Sequence, residues 1–242
     1  MGIGDEAVVA CRDGLGCWGW IKLYREGDDA SFAPEDLELL ARIGPALGSA
    51  LRRRLEAVTA NGTAPASAPG VVVLDQDLRA VSWTTGARQW IDALPLAALF
   101  AGWGILPATL YPVAAKARAG DPSSEAHALE RTADGRWVRI EAARLEGQSN
   151  VQIAVTLRAA TGAETFELLS RAFALSRRER DLVAALLAGL DTRGISATLY
   201  ISPHTVQDHL KSVFRKTGVR SRRELVARFG GATSAAAGSS LN

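Results

Sequence analysis

Two sets of side chains alternate with helical spacing between residues 203 and 217 of the 242-residue sequence. The polar set is His204, Gln207, Asp208, Lys211 and Arg215, and the apolar set is Val206, Leu210, Val213 and Thr217. The apolar residues step by four, three and four positions, so a helix with this pattern buries one side and exposes the other. An exposed helical face with hydrogen-bond donors, acceptors and positive charge can read base edges in the major groove of DNA. We therefore predict a DNA-recognition helix at this position.

Four short helices are predicted between residues 176 and 229, because each has its own start signal. These signals are the capping box of Ser176 and Glu179, a cap at Asp191 or Thr192, Ser202 followed by Pro203, and the capping box of Ser221 and Glu224. Each capping side chain can accept a hydrogen bond from a backbone N–H group that the helix leaves unpaired. Gly194 weakens the second helix, and Gly218 ends the third. The third helix is then expected on the surface of a small all-α module, held there by its apolar side.

Positive charge is concentrated in this module. Residues 170–230 contain 12 Lys and Arg and 5 Asp and Glu, a net charge of +7, while the rest of the chain has a net charge of −5. Arg177, Arg178, Arg222 and Arg223 lie in the first turns of predicted helices, where a cation opposes the helix dipole. Contact with phosphate groups explains these arginines better than helix stability does. A solvated basic face is the alternative that the sequence leaves open.

The segments LSRRERDLV at 175–183 and ISPHTVQDHLKSVFRKTGVRSRRELV at 201–226 resemble the LuxR-type (GerE-like) helix-turn-helix domain. The resemblance covers about a quarter of the chain, and it is specific because a long motif matches without gaps. It implies four helices, of which the second and third form the helix-turn-helix and the fourth is a dimer contact. It also implies binding to double-stranded DNA as a homodimer. Gly194 and Ser196 depart from the family pattern, which has an acidic residue and alanine there, so we expect a frayed second helix.

The resemblance also assigns roles to residues in and around the recognition helix. The candidates for contacts with base edges are Gln207, Asp208 and Lys211. The candidates for phosphate contacts are Ser202, Thr205, His209 and Arg215. The remaining residues that we expect at the DNA interface are Arg193, His204, Lys216 and Arg222.

The N-terminal segment 1–58 combines two predicted strands, 7–11 and 18–24, with one predicted helix over 34–58. Apolar residues recur in this helix at steps of three and four, and Pro45 is expected to kink it. From Cys17 to the end of the helix, the segment resembles the closing strands and last helix of a GAF domain, in partial form. Residues 59–69, TANGTAPASAP, are predicted to be a linker.

Residues 70–160 show strands before and after a helical middle, which predicts an α+β sheet domain. This domain resembles a divergent PAS-like sensory domain. Residues 165–230 contain the helix-turn-helix domain, and residues 231–242 are predicted to be a disordered tail. The predicted fold class is therefore a multidomain α+β chain. Its parts are partial GAF-like strands with a helix, a PAS-like sheet domain and a C-terminal all-α four-helix domain.

Three other groups of residues have a chemical interpretation, and in each case a simpler one is preferred. Gly14, Gly16 and Gly19 match the dinucleotide pattern G-x-G-x-x-G, but a predicted strand follows them where a nucleotide site needs a helix. The two cysteines and three histidines are too few and too scattered for a metal site. The six tryptophans are expected in the core rather than around a ligand. We assign no catalytic residue, metal or cofactor, and predict that the protein is not an enzyme.

The composition indicates a cytoplasmic protein. Two cysteines favour a reducing compartment, and the uncharged stretch 93–115 contains three prolines that break it into pieces too short to span a membrane. We predict a sequence-specific DNA-binding transcriptional regulator whose N-terminal part is sensory or mediates assembly. The alternative is a small-molecule sensor or dimerisation module whose C-terminal helices bind protein rather than DNA. An unidentified small-molecule ligand is compatible with either function.

Overall fold

The computed structural model describes residues 3–57, 68–95, 106–120, 126–145 and 151–230. Most of the predicted linker at 59–69, and the predicted disordered tail at 231–242, lie outside these ranges. The chain divides into two compact units. One combines Met1–Thr59 with Phe166–Gly230, and the other contains Ala60–Thr165.

The first unit begins with a β-hairpin of two antiparallel strands, β1 (Ile3–Asp13) and β2 (Gly16–Glu26). Both strands are longer than the predicted segments 7–11 and 18–24, because strand pairing continues through residues that do not alternate in polarity. The G-x-G-x-x-G segment forms the turn of this hairpin and the start of β2, as predicted. A dinucleotide site would need a helix at this point in the chain.

Helix α1 (Pro34–Ala57) packs on this hairpin through two glycines. A Cβ atom on Gly44 would lie 3.0 Å from the carbonyl oxygen of Ala10, and one on Gly48 would lie 2.6 Å from the backbone nitrogen of Arg12. Because no side chain separates the two backbones, the helix lies close against β1. The helix continues through Pro45.

The apolar stripe of α1 is only partly buried against the hairpin. Leu37, Ile43 and Leu51 belong to the apolar repeat, yet they are 49%, 39% and 39% exposed. The close contact at the glycines turns this stripe partly toward solvent. Hydrophobic periodicity therefore located the helix, but it did not reveal the close contact at the two glycines.

An ion pair connects the hairpin turn to α1. Arg52 Nε donates to Asp13 Oδ2 at 2.9 Å, and Trp18 Nε1 donates to Asp13 Oδ1 at 2.8 Å. Burial raises the pKa of the Asp13 carboxyl, but hydrogen bonds from Trp18, the backbone of Leu15 and Arg52 outweigh it and hold the pKa at about 2. Arg52 Nη1 also donates to the carbonyl oxygen of Ala172, at 3.1 Å, in the C-terminal part of the same unit.

In its described residues, the second unit is an antiparallel sheet with two helices in the middle of its chain. In chain order its elements are β3 (Gly70–Leu74), β4 (Ala80–Trp83), α2 (Thr85–Ala93), α3 (Leu110–Ala119), β5 (Ala126–Arg131), β6 (Trp137–Arg144) and β7 (Ile153–Ala159). The five strands are ordered β4-β3-β7-β6-β5, so the first strand of the unit pairs with the last. This is the arrangement of strands around a helical middle that the sequence predicted.

The core of the second unit lies between the sheet and its helices. Trp90 on α2 is 1% exposed and donates its Nε1 to the carbonyl oxygen of Ala68 at 3.0 Å, so this tryptophan is a core residue, as expected. Trp20 and Trp83 are 53% and 48% exposed, so for these two the expectation of a core position was wrong. The start of β3 touches the first turn of α2 directly. A Cβ atom on Gly70 would lie only 2.1 Å from the backbone nitrogen of Ala87.

Five helices follow in the described residues 151–230. They are α4 (Gly162–Ala172), α5 (Arg177–Leu187), α6 (Thr192–Leu199), α7 (Pro203–Thr217) and α8 (Arg222–Gly230). The last four confirm the four helices predicted between residues 176 and 229. Of the helices in the described ranges, none combines the length and apolar character needed to cross a membrane.

Candidate nucleic-acid interface

The N-terminal caps of α5 and α8 fix where these two helices begin. At α5 the predicted capping box is confirmed, because the Glu179 N–H donates to Ser176 Oγ at 3.3 Å and the Ser176 N–H donates to Glu179 Oε2 at 2.7 Å. At α8 only half of the predicted box forms. The Glu224 N–H donates to Ser221 Oγ at 3.1 Å, but the Glu224 carboxylate accepts from the N–H of Arg220 at 2.8 Å, one residue earlier than predicted.

Helix α6 is capped by Asp191, whose Oδ1 accepts the N–H of Gly194 at 2.7 Å. Of the two predicted caps, Asp191 is thus the observed one. The helix spans Thr192–Leu199 in spite of Gly194, and Ile195 is its buried residue.

Alanine at position 194 should stabilise α6. The nearest atoms to a Cβ on Gly194 are 3.4 Å away, so the side chain fits, and alanine lowers the entropy of the unfolded chain. We expect Gly194→Ala to raise the free energy of unfolding of the module by about 0.5–1 kcal/mol. Thermal unfolding compared with the parent chain measures this, and a lower melting temperature would show that the Asp191 cap needs glycine.

Helix α7 has the boundaries and the buried side that the sequence predicted. Ser202 caps it by accepting the N–H of Thr205 at 3.1 Å, Pro203 occupies its first position, and Gly218 ends it in a left-handed conformation. Its buried residues are Val206, Leu210, Val213 and Thr217. The first three pack with apolar side chains of α5, α6 and α8 in one core.

The opposite side of α7 is polar and open to solvent. The side chains of His204, Asp208 and Lys211 are 86%, 55% and 76% exposed. Asp208 lies 3.5 Å from both His204 Nε2 and Lys211 Nζ, so the acid lies between two basic neighbours along the helix. Gln207 and Arg215 are also exposed. At these distances the two ion pairs of Asp208 are loose, and their donors are free to bind a ligand.

Lys216 is turned into the module rather than toward the exposed polar side of α7. Its Nζ lies 2.6 Å from Glu179 Oε2 and donates to the carbonyl oxygen of Ala174 at 2.9 Å. Ser212 Oγ donates to the same carboxylate at 2.8 Å. Burial raises the pKa of Glu179, but hydrogen bonds from Lys216, the Ser176 backbone and Ser212 outweigh it and hold the pKa at about 2. We therefore leave Lys216 out of the proposed interface, because a phosphate would have to compete with these partners.

Thr192 connects three helices and was considered in the sequence only as a cap. Its Oγ1 accepts from Arg222 Nη2 of α8 at 2.6 Å and lies 3.5 Å from Gln207 Nε2 of α7. Two residues predicted to touch DNA are thereby brought together by the first residue of α6. Arg193, the next residue, is exposed. No local signal reveals this contact, because the three residues are far apart in sequence.

The turn between α6 and α7 contains a residue that the sequence analysis missed. Tyr200 ends α6 in the left-handed region, with φ 56° and ψ 44°, and its side chain is 94% exposed. A residue other than glycine in this region costs about 1 kcal/mol. A run of Leu-Tyr-Ile-Ser gives no sign of a positive φ, since glycine or asparagine is the usual residue there.

A short helix, a tight turn and a second helix with an exposed polar side define a helix-turn-helix domain. The sequence profile of bacterial regulatory proteins of the luxR family matches residues 174–229. The spore germination protein GerE of Bacillus subtilis is 35% identical over 52 residues, which are 22% of this chain and 70% of GerE. The chain belongs to the luxR family, which confirms the resemblance found in the sequence.

Other similarities extend less far. A Mycobacterium bovis protein named as an HTH-type transcriptional regulator is 44% identical over 52 residues, 22% of this chain and 6% of that protein. The chain thus spans a small fraction of this relative's length. The crystal structure of the phage VqmA–DPO complex aligns with 74% of this chain and 86% of its own, at 19% identity and a TM-score of 0.29. Similarity at that level does not define the fold of the N-terminal part.

Proposed function

We propose that the protein is a sequence-specific DNA-binding transcriptional regulator and that α7 enters the major groove. The observation that supports this most directly is the two-sided character of α7. Its apolar side is buried against three helices, while Gln207, Asp208 and Lys211 are exposed on the other side. These three residues are called the polar row below. Stability of the module does not require them, because none of their side chains is buried.

The chemistry of the exposed row matches the edges of base pairs. A glutamine can pair with N6 and N7 of adenine, a lysine with O6 and N7 of guanine, and a carboxylate with the amino group of cytosine. We assign these roles to Gln207, Lys211 and Asp208. The pattern of donors and acceptors in the major groove distinguishes all four base pairs, so three such residues suffice for a sequence preference.

Contacts with the phosphate backbone are assigned to cations and small polar residues around the row. They are Arg193, Ser202, His204, Thr205, His209, Arg215 and Arg222. The cations among them supply affinity that falls as salt is raised, since each phosphate that is neutralised releases counterions. If two copies of the chain bind together, inverted half-sites about one helical turn apart are expected.

The remaining part of the chain is assigned a sensory or assembly role. The sheet of the second unit, with helices between its second and third strands, supports the PAS-like interpretation of residues 70–160, and the hairpin with α1 supports a partial GAF-like unit in residues 1–58. A homodimer is proposed for the DNA-bound protein. The competing function is a sensor or dimerisation module whose C-terminal helices bind protein.

Substitutions in the polar row should change the affinity for DNA and the preference for particular base pairs in different ways. Selection of bound duplexes from a random-sequence pool identifies a preferred site for the parent protein. Lys211→Ala is expected to weaken binding to that site by about tenfold to a hundredfold, as loss of a base contact does, and Gln207→Ala is expected to relax the preference at one position of each half-site.

The matched control is Arg180→Ala. Arg180 is a cation of the same module, but it pairs with Glu167 rather than lying in the row. It should leave the preferred sequence unchanged. If all three variants bind every duplex as the parent does, α7 does not read DNA, and the protein-binding function is favoured.

A further inference from the structure

Three residues other than glycine have a positive φ in the described part of the chain: Leu78, Ala174 and Tyr200. For the first two, the structure shows why the conformation is tolerated. Leu78 is 9% exposed and belongs to the core of its unit, so burial of its side chain offsets the unfavourable conformation. Ala174 has only a methyl side chain, and its carbonyl oxygen accepts a hydrogen bond from Lys216 Nζ, which helps to hold this conformation.

Tyr200 has no such compensation. Its side chain is 94% exposed, and within the described residues it makes no hydrogen bond and no ring contact. Glycine or asparagine would form the same turn at lower cost. A large aromatic residue that is neither buried nor bonded, in a conformation it disfavours, contributes nothing evident to folding. Backbone strain that no burial or hydrogen bond of the side chain compensates is a reason to look for a contact outside the chain.

The position of Tyr200 indicates what that contact is. The residue lies two positions before Ser202, which caps α7, so it flanks the N-terminal end of the helix proposed to enter the groove. The part of DNA beside a helix in the major groove is the sugar–phosphate backbone that forms the groove wall. A tyrosine offers a hydroxyl that donates to phosphate oxygens and a ring that covers deoxyribose.

We propose that Tyr200 contacts the sugar–phosphate backbone at the edge of the major groove, with its hydroxyl donating to a phosphate oxygen. This inference rests on the proposed function, because it requires α7 in the groove. The contact has a distinctive signature. A neutral hydroxyl displaces no counterion, so it adds affinity without steepening the salt dependence, and it favours no base.

Two variants of the full-length chain test this contact. Tyr200→Phe removes only the hydroxyl, and Tyr200→Gly removes the side chain and the strain together. The probes are the duplex selected from a random pool and a scrambled duplex of the same length and composition. We expect Tyr200→Phe to weaken binding to both duplexes several-fold and Tyr200→Gly to weaken it about tenfold, with the ratio of the two affinities and the salt slope unchanged. The melting temperature should be unchanged or higher for Tyr200→Gly.

Ala174→Gly is the matched control, because it relieves the same kind of strain in the same module at a site away from the row. It should leave both affinities unchanged. If the parent prefers the selected duplex and both Tyr200 variants bind as tightly as the parent, the contact does not exist, while the proposed function stands. A loss confined to the selected duplex would overturn the backbone contact in favour of base reading. A parent that prefers no duplex would overturn the proposed function and this inference together.

Discussion

Replacing Glu179 with glutamine should lower the free energy of unfolding of the helix-turn-helix module by about 3 kcal/mol at neutral pH, as loss of a buried ion-pair partner does. The Glu179 side chain is 5% exposed and lies 2.6 Å from Lys216 Nζ. It also accepts the backbone N–H of Ser176 and the hydroxyl of Ser212. An amide retains part of this geometry but not the charge, so the ammonium of Lys216 would lose its counter-ion. Both α5 and α7 would be weakened at their contact.

The same substitution should remove much of the acid sensitivity of the module. The pKa of Glu179 is about 2 in the folded chain, below the ordinary value of 4.5 that it takes in the unfolded chain. A lowered pKa means that the carboxylate stabilises the fold fully above about pH 4.5, and that this contribution is lost as the pH falls from 4.5 toward 2. The parent should therefore lose stability more steeply in this interval than Glu179→Gln does, and the Asp13 contribution should remain in both.

Hydrogen exchange of peptides from α7, measured at increasing urea concentration at pH 7 and at pH 3, reports this module separately from the sheet unit. Glu167→Gln is the control, since the Glu167 side chain is 64% exposed and forms a surface pair with Arg180. Its effect should stay below about 1 kcal/mol. An unchanged pH dependence in Glu179→Gln would show that another group controls the acid unfolding of the module.

Alanine at position 70 should destabilise the sheet unit by about 3 kcal/mol, the upper range for overpacking in a well-packed core. The added Cβ atom would lie 2.1 Å from the backbone nitrogen of Ala87 and 2.3 Å from its Cα. Neither atom belongs to a flexible side chain, so β3 and α2 would have to separate. Because Trp90 lies on the same helix and is buried, the separation would also open the core.

Gly120→Ala provides the comparison for Gly70→Ala within the same unit. No atom of the described residues lies within 4 Å of a Cβ at position 120, but the φ of 74° disfavours alanine. Its expected cost is about 1 kcal/mol, from conformation alone. Hydrogen exchange in β6 peptides measures both variants. Equal losses would mean that β3 and α2 move apart easily, and that the close contact at Gly70 is not essential.

The helix-turn-helix module could be predicted from the sequence because its signals are local. Ser176 with Glu179 and Ser202 with Pro203 act within one helical turn, and the apolar repeat of α7 depends only on helical geometry. The family motif covers the same region, so pattern and resemblance agree. Boundaries, caps and the buried side of α7 followed from these signals.

The contacts between helices could not be predicted in the same way. Lys216 was expected at the DNA interface, whereas in the structure it pairs with Glu179, which is 37 positions away in sequence. Thr192 and Arg222 are likewise joined only by the fold. In α1 the repeat of leucines identified a helix, but the surface that packs on the hairpin is set by Gly44 and Gly48, whose lack of a side chain leaves no hydrophobic signal.

The hydrogen bonds of Arg52 have a consequence for how this protein can be divided. The guanidinium joins Asp13, beside the hairpin turn, to the carbonyl oxygen of Ala172 at the end of α4. The folding unit that contains the helix-turn-helix is therefore discontinuous in sequence and is assembled from two segments separated by more than a hundred residues. Removal of residues 1–59 would leave the Ala172 carbonyl without this donor, so α4, which leads into the four C-terminal helices, depends for part of its support on a segment more than a hundred residues earlier in the chain.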